Sequence, residues 1–170
     1  MPIASSTSHL RRIRRMTAAV AAAAMLAPAT ARATPSSETI HMTWLRSGTT
    51  SSAPFRGTGA GTFAASGAVN DSGTVSVTGQ DTSVPSPVVA VAWLDEVLTS
   101  ADGTLDLRCP AISKGPFTDP SHLPITGSCT ITAGTGVYSR LHGHGDFTGF
   151  VDLTVGPAGQ ATQDITLKVT

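Results

Sequence analysis

Gly134-Thr135-Gly136-Val137-Tyr138-Ser139-Arg140-Leu141-His142-Gly143-His144-Gly145-Asp146-Phe147 joins two stretches of alternating sequence through a glycine-rich turn. It holds the only tyrosine of the chain, an arginine and two of the five histidines. Before it, Cys129 and Ile131 alternate with Ser128, Thr130 and Thr132. After it, Phe147, Val151, Leu153 and Val155 share a face opposite Asp146, Thr148, Asp152 and Thr154. A period of two is the signature of a strand with one buried face. The stretch therefore reads as a connection between two strands.

The same period runs outward in both directions. Ile40, Met42 and Trp44 alternate with His41 and Thr43, which predicts a first strand near 39–46 and then a Ser/Thr/Gly-rich loop over 46–57. Phe63, Ala65 and Val69 precede a turn at Asn70-Asp71-Ser72-Gly73, and Val75 and Val77 follow it, as in a hairpin. Asn70-Asp71-Ser72 is also a glycosylation sequon, and a turn explains the same residue types. A polar loop with two prolines is expected over 80–87. Val88 to Leu98 is the most apolar run. It sets Val89, Val91, Trp93 and Val97 on one face and Ala90, Ala92, Leu94 and Leu98 on the other. A strand apolar on both faces is expected to be covered on both, here by the first strand or a neighbouring subunit.

Leu105, Leu107 and Cys109 form the next apolar face after a turn at Ala101-Asp102-Gly103. Four prolines between Pro110 and Pro124 predict an irregular segment, long enough to be a lid over one end of a barrel. Ile165, Leu167 and Val169 close the pattern. The count is about eight short strands, which predicts an all-β antiparallel fold, and a closed barrel is favoured because it leaves no edge strand. The expected organisation is a leader over 1–33, an N-terminal segment with the first strand and loop over 34–58, and the barrel over 59–170.

Gly134-Thr135-Gly136, the aromatic Tyr138 and then Gly143 resemble the G-T-G-x-[FY]-x₄-G element of allene oxide cyclase-like and dirigent-like barrels of calycin type. The likeness extends to Gly61-Thr62-Phe63, Asp71-Ser72-Gly73 and Asp102-Gly103, and is nearest to small exported bacterial members. It implies an eight-stranded antiparallel barrel, often oligomeric, whose cavity can hold an apolar small molecule. No catalytic role is carried over from those families to a residue of this chain.

Arg11, Arg12, Arg14 and Arg15 precede the apolar run Thr17 to Ala27, and Ala31-Arg32-Ala33 supplies small residues for cleavage. That order describes a secretory signal peptide and predicts a secreted protein. The paired arginines leave the general and twin-arginine routes both open. The apolar run is shorter than the roughly 20 residues that span a bilayer. Five of the eleven basic residues lie in the leader and all eleven acidic residues lie after it, so the mature net charge is −5. With no basic stripe, a nucleic-acid partner is not expected.

Cys109 and Cys129 have no His or Cys within four residues, which disfavours zinc, and an even pair in an oxidising compartment predicts a disulfide. Gly57-Thr58-Gly59-Ala60-Gly61 precedes no helical pattern, so it is not a phosphate loop and no cofactor is assigned. His142, His144 and Asp146 at i, i+2 and i+4 could hold a metal ion from one strand face. Their parity is opposite to Phe147, which predicts that they point outward unless a bulge intervenes. Trp93, Tyr138 and Arg140 are the candidate ligand contacts. Tyr138 and Arg140 could offer a hydroxyl and a cation at a barrel mouth, or could be a packing tyrosine beside an exposed arginine. Asp95-Glu96 cannot act as a direct acid/base pair, because adjacent strand residues face opposite ways.

Overall fold

Alternation between apolar and hydroxylated residues allows each strand only one way to face a core, and eight such strands close on themselves. They are β1 (Ser36–Ser47), β2 (Phe55–Gly67), β3 (Asp71–Ser86), β4 (Val89–Thr99), β5 (Thr104–Lys114), β6 (Leu123–Gly134), β7 (Gly143–Asp152) and β8 (Gln160–Val169). This computed structural model describes residues 36–48, 55–86 and 88–170. The expected leader and its cleavage site lie outside the described residues. Every strand pairs antiparallel with its neighbours in the chain, and β1 pairs with β8 to close the ring. The strand expected near 39–46 is thus part of the barrel wall, not a preface to it.

Inward positions alternate along each strand. Ile40, Met42 and Trp44 of β1, Leu94 and Leu98 of β4, and Ile165, Leu167 and Val169 of β8 are all buried. Outward positions are largely Thr and Ser. One cross-strand row carries Thr162, Thr43, Thr62, Thr74, Thr99 and Thr104 in unbroken register from β8 through β1 to β5. These hydroxyl-bearing, β-branched residues suit a pleated surface that meets water.

Two expected loops are strand. The segment 80–86 continues β3, with register shifts between Thr78 and Asp81 and between Ser83 and Ser86. Pro85 falls in the second of these, where a bulge tolerates a residue without an N–H. Residues 110–114 likewise continue β5, and β6 begins at Leu123, so only 115–122 remain as connection. Pro85 sits at a register shift, and Pro110 keeps its place opposite Trp93 on β4 while the β5–β6 pairing skips from Arg108 to Ala111, so neither proline ends its strand.

Cys109 on β5 and Cys129 on β6 are joined by a disulfide, with Cα atoms 4.2 Å apart and neither residue exposed. The expectation from cysteine count and parity is met. The bridge ties two adjacent staves from inside the barrel.

Replacing both cysteines by alanine removes a cross-link whose sequence separation is 20. Loop-closure entropy alone sets the expected loss at about 3 kcal/mol. Urea unfolding followed by tryptophan fluorescence should show that loss in midpoint. An unchanged midpoint would refute a stabilising role.

Candidate functional site: the barrel interior

The two ends of the barrel are built differently. At one end, the single turn of 3-10 helix at Gly136–Tyr138 folds Tyr138 under the rim, where it is 1% exposed. The glycines of the opening stretch make this possible. Gly136 has φ +57°, and a Cβ on Gly134 would lie 2.4 Å from the Tyr138 carbonyl oxygen. Thr135 pairs with Thr104 through both backbone and hydroxyl, fixing the turn on β5. The Tyr138 hydroxyl donates to Asp71 Oδ2 at 2.8 Å. Burial raises the phenol's pKa, with the Asp71 hydrogen bond and the charges of Asp71, Glu38 and Asp102 adding to it, so the hydroxyl keeps its proton. Contacts from Ser100 and Tyr138 hold the Asp71 carboxylate below its usual range.

Glu38 stands at the same end, buried, with Oε2 accepting from the Val69 N–H at 2.9 Å. Burial raises its pKa, and the Val69 and Ala68 backbone groups oppose the rise. Aliphatic and aromatic side chains, among them Ile40, Phe63, Leu98, Leu105 and Leu167, fill the space behind it. This end is sealed.

Toward the other end small inward side chains stand among the larger Trp44, Ile125 and Phe147. Ala92 and Ala111 stand opposite one another on β4 and β5, and Ala90 on β4, Gly149 on β7 and Ala161 on β8 share their inward direction. Ala90, Ala92 and Val151 are only half-buried there. Trp44 lies across this half, its ring occupying the place where a Gly59 side chain would stand, 2.2 Å from the position of that Cβ. Its indole Nε1 is buried without a hydrogen-bond acceptor. One step on, Arg46 has the same inward parity and is half-buried, with Nε also lacking an acceptor. Burial lowers its pKa, and no described carboxylate forms an ion pair with it.

Midway along the interior sit Glu96 and Gln163, both completely buried. Glu96 Oε2 lies 3.4 Å from Cys109 Sγ. A disulfide sulfur carries no proton, so the carboxylic acid is the donor in this contact. Burial pushes Glu96 up to about 8, Asp95 adding to the rise and the Gln163 amide opposing it. Glu96 Oε1 and both amide atoms of Gln163 lack a partner of full hydrogen-bonding geometry. Glu96 and the two cysteine sulfurs lie within 4.8 Å of one another, but the disulfide removes both thiolates as metal ligands.

The residues singled out in sequence are dispersed. Trp93 faces outward from β4, 55% exposed, and does not line the interior. β1 closes the ring between β2 and β8, so it does not cover that outer face. Arg140 is exposed just past the 3-10 turn, so Tyr138 and Arg140 part company and the packing alternative describes them. His144 and Asp146 point outward from β7, with Gly143 and Gly145 turned inward as parity predicts. His142 lies before that strand, exchanging backbone bonds with Thr170. Asp95 faces outward, accepting from Arg108 Nε at 2.8 Å, while Glu96 faces in.

Glu38, Glu96, Gln163 and Arg46 were not among the sequence candidates. Parity alone could have found them, because each falls in step with an apolar face. Compared with known proteins, the chain matches no family model, no curated protein and no solved structure.

The raised Glu96 pKa has a stability consequence. Between the ordinary glutamate range and about 8, the folded state keeps a proton that the unfolded state has lost. Stability therefore falls as pH rises through that window, and Glu38 acts in the same direction. The lowered Asp71 and Asp119 act only at more acid pH. Glu96→Gln should flatten the decline between pH 5 and 8 and raise the melting temperature at pH 8, read by thermal unfolding across pH. Parallel profiles for the two proteins would contradict the burial argument.

Proposed function

We propose that this chain is a secreted binding protein whose barrel takes a small apolar molecule at the end opposite Tyr138. One observation carries the reading, the contrast between an end sealed by Tyr138 and a half lined inwardly by Ala90, Ala92, Ala111, Gly149 and Ala161. Small inward side chains keep that stretch of wall apolar and take up less of the lumen than large ones would, and barrel mouths are a preferred place for ligand sites. The leader-like start of the sequence and the internal disulfide support export. The resemblance of the Gly134 stretch to allene oxide cyclase-like and dirigent-like barrels supports the same class of ligand. No catalytic step is assigned.

A second reading places function on the outer wall. Trp93 and Ile112 are 55% and 42% exposed, and with Val89, Val91 and Pro110 they form one outward strip on β4 and β5. The Asp95–Arg108 ion pair marks one end of this strip and Lys114 the other. A second copy of this chain laid on the strip by a two-fold axis would cover Trp93 and Ile112 of both copies, so this reading makes the protein a homodimeric interaction module.

Mature protein should show a saturable rise in melting temperature with at least one member of a panel of lipids and terpenoids. Ala92→Trp, which fills the small-residue half, should abolish the rise. No shift across the panel would remove the binding reading. Sedimentation velocity tests the second reading: a dimer that Trp93→Arg converts to monomer would support it, and a monomeric wild type would reject it.

A further inference from the structure

The alternation of β1 brings Trp44 and Arg46 to the same inward face, two positions apart, at the end lined by small residues. Strand pairing extends to this point, since the Arg46 N–H donates to the Gly159 carbonyl at 2.9 Å. Opposite Arg46 in register is Gly59, which has no side chain to meet the guanidinium. Two nitrogen donors therefore stand side by side without acceptors, Trp44 Nε1 at 2% residue exposure and Arg46 Nε. Deeper in the interior, opposite Met42 on the β1–β8 ladder, the Gln163 amide is turned to Glu96 and offers these donors no acceptor.

No neighbouring acid accounts for this arrangement. Glu38 lies at the sealed end, held by Val69, and Glu96 is turned to the disulfide. In the part of the chain that follows the leader, acids outnumber bases eleven to six, yet this arginine pairs with no described carboxylate. An orphaned buried donor is costly, and a partly desolvated cation without a counter-charge adds to that cost. Such groups in one place are what an anionic oxygen would satisfy. A guanidinium presents paired N–H donors to a carboxylate, sulfonate or phosphate, and an indole N–H supplies one more.

We infer that the molecule held in this barrel is an amphipathic anion, its charged oxygens bound by the Arg46 guanidinium and the Trp44 indole N–H and its apolar body lying along Ala90, Ala92 and Ala111. The inference rests on the binding reading above and adds the charge of the ligand and the residues that select it. Arg46 is a binding residue that trades stability for specificity.

Two polarity-sensitive fluorophores with nearly the same aromatic body separate the two claims: 1-anilinonaphthalene-8-sulfonate, an anion, and N-phenyl-1-naphthylamine, which is neutral. Wild-type protein should bind the sulfonate at least tenfold more tightly than the amine. Arg46→Met should bring the sulfonate down to the level of the amine, leave amine binding unchanged, and melt higher than wild type without ligand. Arg46→Lys, which keeps the charge but not the forked donors, should retain part of the preference. Equal binding of both fluorophores by the wild type, or an undiminished preference in Arg46→Met, overturns the inference while the binding reading stands. Failure of both fluorophores to bind overturns the two together.

Discussion

Closure of the ladder between β1 and β8 is the constraint on which the rest of the structure depends. Ten residue pairs, from Ser36 with Val169 to Leu45 with Gln160, turn an open meander into a ring. Once the ring is closed, each residue is either inside or outside. Ile40, Met42 and Trp44 are committed to the core by that pairing, and so are Ile165 and Leu167. The same rule carries Glu38, Arg46, Glu96 and Gln163 inward, where polar groups are costly to bury. A barrel has no edge at which such residues could escape to water.

Much of this was legible in the sequence because a two-residue period leaves a strong trace. The β1 face, the apolar inner face of β4, the facing cysteines and the outward histidines of β7 all follow from parity. The limits appeared where parity is interrupted. Bulges at Thr78–Asp81 and Ser83–Ser86 let β3 run past residues that look like loop. Pro110 looks like the end of a strand, but β5 pairs through it with Trp93 on β4. Tyr138 and Arg140 share a parity in sequence, and one 3-10 turn sends the first inside and leaves the second in water.

The site was less legible than the fold for a related reason. Attention goes naturally to clusters of polar residues along the chain, such as Tyr138 to Asp146. In a barrel, residues that converge in space come from distant parts of the chain, as Glu96 of β4 and Gln163 of β8 do. Trp44 and Arg46 were close in sequence, but the strand was expected to give way to loop at Arg46, which hid its inward direction. Trp93 stood out as a large aromatic in an apolar run, yet an apolar run on β4 has two faces, and this residue belongs to the outer one.

The row of threonines that crosses β8, β1, β2, β3, β4 and β5 gives this wall an unusual relation to its solvent. Its contact with water rests on hydroxyl groups, which neither titrate in the ordinary range nor attract counterions. Hydration of that part of the surface is therefore indifferent to acidity and to ionic strength. The two acids whose burial raises their pKa, Glu38 and Glu96, are enclosed. Along this row the barrel thus turns an uncharged, chemically constant band to its surroundings, while two of its acids are held inside.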